Sequence, residues 1–157
     1  GNQGKTAFTK FMYMNDPNSW FIAKDMGTAR DAATCIQGAL NKGWNHHGMI
    51  LGLPRAAENH TRMYEYIEDI KDGMITAQKY AGETCVFDNP HIIIFSNWIP
   101  TVSNLSRDRW KIFEILNKEL VPRSYDYCTN NQRGDERILE NLGITNAYAH
   151  MKGLGAR

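Results

Sequence analysis

The sequence predicts an α/β domain built on a mostly parallel sheet with helices on its flanks. Three observations carry that expectation. Short apolar runs alternate with stretches of helical periodicity along most of the chain. The clearest run, Ile92-Ile93-Ile94-Phe95, contains no polar residue, as a strand covered on both faces requires. A glycine-containing opening, Gly1 to Gly4, passes directly into a helical pattern at residues 6–14.

The elements follow in order. Residues 20–23 form a short strand, and 28–41 a helix with alanine, isoleucine and leucine on one face, ended by Gly43. Residues 49–53 are an apolar run stopped by Pro54, the pattern of a buried strand. A second helix covers 61–71, with Thr61 as a candidate cap and Gly73 as terminator. Residues 74–87 fit a hairpin turning at Ala81-Gly82, and 91–96 the central strand. One more strand is expected at 110–116. Residues 117–157 read as a polar C-terminal extension, with a loop at 129–135 and a short helix at 137–142. The division is therefore a core at 1–116 and an extension at 117–157.

Composition bounds the function. Hydrophobic content of 42% is enough to fill a core, and the net charge of +1 neither demands nor excludes a nucleic-acid partner. No apolar stretch is long enough for a membrane helix. Cys35, Cys85 and Cys128 are widely spaced and match no zinc pattern, so a reducing, intracellular setting is expected. Residue 1 already stands inside a motif, so the chain reads as part of a longer protein with no signal peptide at this start.

That motif, Gly1-Asn2-Gln3-Gly4-Lys5-Thr6, matches the second half of a Walker A phosphate loop. Glycines let the backbone wrap closely enough to aim N–H groups at phosphate oxygens. The following helix directs its positive end at the same anion. Lys5 would bridge β- and γ-phosphates, and Thr6 would ligate Mg²⁺ through its hydroxyl.

Further pieces stand downstream in fixed order: Gly52-Leu53-Pro54-Arg55 after an apolar strand, Ile67 to Gly73, Lys79-Tyr80, Pro90 to Asn97, and Ser106 to Trp110. The series resembles the superfamily 3 helicase domain of replication-associated (Rep) proteins of small circular single-stranded DNA viruses, nanoviruses and alphasatellites especially. The resemblance covers residues 1 to about 115. It implies a P-loop ATPase of the AAA+/superfamily 3 type that uses ATP and Mg²⁺ and works as a hexameric ring on single-stranded DNA. It also implies a nicking endonuclease domain elsewhere in the protein, action in the host nucleus, and no membrane partner.

The resemblance implies residue roles too. Asn97, closing a buried strand, corresponds to the sensor that hydrogen-bonds the γ-phosphate or attacking water. Lys79 corresponds to the DNA-contacting lysine of the hairpin, with Lys71 assisting. Arg109 corresponds to an arginine finger reaching a neighbouring subunit's γ-phosphate, with Arg107 the competitor. His46, His47 and His91 lack a metal-ligand spacing and are expected to be structural, and Tyr64, Tyr66 and Tyr80 to serve packing.

One departure matters. Where the family's second strand ends in an acid that holds the Mg²⁺ water shell, this chain has Gly52. Glu58, a few residues on, is the remaining candidate for activating water. The expectation is therefore an ATP-hydrolysing DNA helicase motor. Two alternatives stay open: a Rep-derived nucleotide-binding or assembly module without turnover, and a superfamily 3 RNA helicase of an RNA virus.

Overall fold

The computed structural model describes residues 4–24, 26, 28–52, 60–76, 84–97, 99–131 and 148–152. Helix α1 (Lys5–Asn15) begins directly after Gly4, whose φ of +85° lies in the left-handed region. Its Phe8 and Met12, one turn apart, pack on Trp20, Ile50 and Ile93 of the sheet. Strand β1 (Trp20–Lys24) leads to α2 (Ala29–Asn41). The Thr28 hydroxyl caps that helix by accepting the Asp31 N–H at 3.1 Å. Ala32, Ala33, Ile36 and Ala39 form its buried stripe, and Gly43 ends it at φ +88°.

Strand β2 (Gly48–Gly52) is followed by α3 (His60–Lys71), then by β3 (Met74–Thr76) and β4 (Thr84–Val86), which pair antiparallel. The hairpin at 74–87 is thus present, and its tip lies outside the described residues. Gly73 has φ +81°, and a Cβ there would run into the Phe87 carbonyl oxygen. Phe87 N–H donates to the Gly73 carbonyl at 2.8 Å, so the turn cannot simply open. Gly73→Ala is expected to cost about 1–3 kcal/mol, the scale of a strained left-handed residue. A lowered urea midpoint at unchanged slope would show it, and an unchanged midpoint would contradict the turn geometry.

Strand β5 (His91–Ser96) follows, then two single 3₁₀ turns (Val102–Asn104 and Arg107–Arg109), β6 (Ile112–Leu116), β7 (Glu119–Arg123), α4 (Tyr125–Asn131) and β8 (Tyr148–Lys152). The main sheet has the order β1-β2-β5-β8-β6-β7. Strands β1, β2 and β5 are mutually parallel. Strand β8 is antiparallel to both β5 and β6, which therefore run in the same direction. The architecture is α/β as expected, with a parallel half and an antiparallel half.

Alternation along the strands assigns the two faces. Ala23, Met49, Leu51, Ile92 and Ile94 join the large core under α2 and α3. Trp20, Ile50 and Ile93 face α1. The β3–β4 hairpin packs against α2 and α3: Ile75 and Cys85 are buried, and the Cys85 thiol points at the Ala33 carbonyl of α2.

Three expectations for the second half are corrected. Residues 129–131 complete a helix rather than a loop, and the Thr129 hydroxyl and the Asn131 side-chain amide donate to the carbonyls of Tyr125 and Tyr127 one turn earlier. The polar segment after residue 117 contains β7, paired to β6 across a two-residue turn with Asn117 and Lys118 at positive φ. Trp110 stays outside β6 and donates its indole N–H to the Val102 carbonyl. The short helix at 137–142 lies outside the described residues. All three cysteines are free, and burial pushes the Cys128 thiol up to about 11, which makes it unreactive. Among the described residues no helix is long and apolar enough to cross a membrane.

Candidate functional site

The N-terminus of α1 sits over the carboxyl ends of the parallel strands, where α/β sheets bind their ligands. The anchor is a contact across 92 positions of sequence: the Lys5 ammonium donates to the Asn97 side-chain carbonyl. Asn97 follows β5 directly, and Lys5 is the first residue of α1. The closeness expected of these two residues is present.

Between them lies a cavity of about 180 Å³. From α1 it is lined by Lys5, Thr6 and Thr9, one side of the helix's first turns. The sheet contributes Ile22, Ile50, Gly52, Phe95 and Asn97, with Ser96 at the strand end. Strand alternation explains this set, since positions 50 and 52, like 95 and 97, turn toward α1. The volume is below the ~300–1,000 Å³ of a complete small-molecule pocket and suits a phosphate group better than a whole nucleotide. One ammonium, two hydroxyls, an amide and a helix N-terminus meet there, an arrangement that attracts an anion. Thr9 and the apolar wall of Ile22 and Phe95 escaped the sequence reading. Thr9 was detectable, because position 9 stands one turn after Lys5; its hydroxyl donates to the Lys5 carbonyl at 2.9 Å.

Gly52 occupies the cavity face of β2, opposite Thr6. A Cβ built on it meets nothing within 4 Å, so the space for an acid is there and the acid is not. Among the described residues no group of three histidine, cysteine or acidic side chains could hold a metal. Thr6 lines the cavity, and the described residues do not complete a metal site beside it.

Other expected residues fall elsewhere. Gly1, Asn2, Gln3, Glu58, Lys79 and Tyr80 lie outside the described residues. Lys71 does not fit its expected role: it is only 6% exposed, and its ammonium donates to the Pro90 carbonyl at 2.8 Å. It ties the end of α3 to the start of β5 and is not a mobile surface charge. Arg109 precedes β6, at the opposite end of the sheet from Lys5, and stands 3.7 Å from Asp72. It cannot serve the phosphate loop of its own chain. Arg107 pairs with Asp126 at 2.9 Å and stacks over Tyr125, which ties it to α4. His46 accepts the Asp88 N–H at 3.0 Å, and His47 packs edge-on against Trp20 and His91. Tyr64 and Tyr66 are buried, burial raises both phenols above their ordinary range, and Tyr66 donates to the Met26 carbonyl.

Comparison with curated proteins finds relatives over most of the chain. The Para-Rep C7 of Faba bean necrotic yellows C7 alphasatellite is 32% identical over 114 residues, 71% of this chain. The Para-Rep C10 of Milk vetch dwarf C10 alphasatellite is 31% identical over the same length. The master replication protein of Faba bean necrotic yellows virus is 28% identical over 110 residues. The chain resembles viral Rep proteins. It spans 38% of the length of each Para-Rep and 34% of that master replication protein. No family model matches the Rep-like chain, and no solved structure does.

Proposed function

We propose that this Rep-like chain is the nucleotide-driven motor part of a replication initiator, moving on single-stranded DNA during rolling-circle replication in the host nucleus. The observation that carries the reading is the Lys5–Asn97 contact beside the cavity under α1. It joins the cation of the phosphate loop to the polar residue that would sense the γ-phosphate. Neither residue needs the other for packing, so a shared anion gives their meeting a purpose. The relatives' names, replication proteins of viruses and satellites, agree with initiation of replication. Lys5 would hold the phosphates, Thr6 the Mg²⁺ ion, Asn97 the attacking water, and Glu58 would draw its proton. Lys79 would contact the DNA strand, and Arg109 would act on a neighbouring copy in a ring.

Gly52 favours a second reading, a nucleotide-binding or assembly module that has lost turnover. A protein carrying this segment joined to the nicking domain that the resemblance implies would be assayed for ATP hydrolysis. Stimulation by single-stranded DNA of severalfold or more is expected of the motor. Nucleotide binding without turnover would establish the module instead, and stimulation by RNA alone would move the assignment to an RNA helicase.

A further inference from the structure

We propose that the open edge of β1 takes an extended, acidic peptide segment of a partner protein as one more strand of the sheet. The site stands apart from the motor reading. It opens toward the amino end of β1, whereas the phosphate cavity lies at the carboxyl ends of the strands.

Among the described residues β1 has a paired neighbour on one side only. The Gly48 N–H donates to the Ser19 carbonyl at 3.0 Å, and the parallel register carries that ladder onward through Phe21 and Ala23. Trp20 and Ile22, between them, turn their main-chain groups the other way. The Asp16 carbonyl takes the Trp20 N–H at 3.3 Å, so the outward edge offers the Trp20 and Ile22 carbonyls and the Ile22 N–H. Those groups border a cavity of about 620 Å³, walled by Tyr13 of α1 on one side and by Gly38 and Lys42 of α2 on the other.

Gly38 is the informative wall. It stands inside α2, where glycine costs helix stability against alanine, and a Cβ built on it meets nothing within 4 Å. Packing within this chain does not ask for the glycine, and room in the groove does. Lys42 is exposed and supplies the charge of the lining, and among the described residues no carboxylate pairs with it.

Three features choose the occupant. Outward carbonyls alternating with an N–H match the main chain of another strand, whereas the sugar-phosphate chain of DNA carries no donor for them. A second copy's β1 would arrive flanked by its own α1 and α2, which would collide with the helices that wall this groove. A bare strand enters. Lys42 then selects an acidic side chain, because the loop that follows it meets residues 18 and 19, at the start of β1. An antiparallel strand, the more stable pairing, brings its carboxyl end there.

The full chain is titrated, by fluorescence anisotropy, with a pool of labelled octapeptides. In the pool valine, isoleucine or phenylalanine alternates with threonine, and the last two residues are glutamate. Saturable binding is expected, weakened at least about tenfold by Gly38→Leu, which fills the groove, and by Lys42→Glu. Methylating one alternate set of peptide nitrogens should abolish binding and methylating the other should spare it, since only one set faces β1. Circular dichroism melts should place Gly38→Leu no lower than the parent, because leucine favours helix. No binding of the pool, binding that ignores both variants, equal tolerance of the two methylated sets, or a lower melt of Gly38→Leu would each overturn the proposal. A labelled oligothymidylate that binds where the peptides do not, and is lost in Lys42→Glu, would give the groove to nucleic acid instead. A parent dimer in sedimentation that Gly38→Leu splits would give it to a second copy.

Discussion

Lys5→Ala should weaken nucleotide binding by at least about tenfold, a loss of about 1.4 kcal/mol or more. The ammonium is the cation that lines the cavity under α1, and it already reaches the polar group at the end of β5. Removing it leaves the helix N-terminus and two hydroxyls to face the phosphates, and exposed helix-terminal attraction supplies only about 0.3–1 kcal/mol. The side chain is half-buried and lies outside the large core, so stability should change little. Calorimetric titration with ATP would measure the loss, and a thermal melt would confirm the fold. Equal affinities in parent and variant would defeat the phosphate-loop assignment.

Gly52→Asp is expected to act in the opposite direction and on a different quantity. The position faces the cavity opposite Thr6, and a Cβ there enters open space, so the new carboxylate needs no rearrangement to be accommodated. It would supply negative charge where Mg²⁺ has to be held through phosphoryl transfer. ATP turnover should rise by about one to three decades, the scale of one catalytic electrostatic contact, and mainly in kcat. Less Mg²⁺ should also be needed for half-maximal rate. Glu58→Gln, assayed beside it, should lower whatever basal rate the parent has. Robust parental turnover that Gly52→Asp leaves unchanged would mean that the acid comes from another part of the chain. Silence in all three would favour the module without turnover.

How far the sequence could be read depended on how locally each feature is encoded. Strand β5 was found to the residue because four adjacent apolar side chains can only be hidden by burying both faces. Helix α2 was found because its small and aliphatic residues recur at helical spacing, and Asn97 because it closes that strand. Strand β7 was missed, since Glu119, Pro122 and Arg123 give it no apolar face; it is an edge strand held by pairing with β6. Helix α4 was missed because Thr129, Asn130 and Asn131 have weak helical preference and the packing of Cys128 and Tyr125 overrides it. Lys71 misled for a different reason. A lysine in a polar helix end reads as solvated, and only the approach of Pro90, from a later turn, reveals a burial site with a carbonyl waiting.

The meeting of Lys5 with Asn97 makes the amide of residue 97 a spectroscopic label that the protein already carries. A phosphate drawn to the ammonium takes over as its acceptor, and the carboxamide must then turn to another partner. Its side-chain NH₂ resonances would therefore shift on loading, and shift again if the γ-phosphate were cut. A nuclear magnetic resonance titration following that one signal would separate empty, triphosphate-bound and diphosphate-bound chains without any added dye. It would do so even in a protein that never turns over.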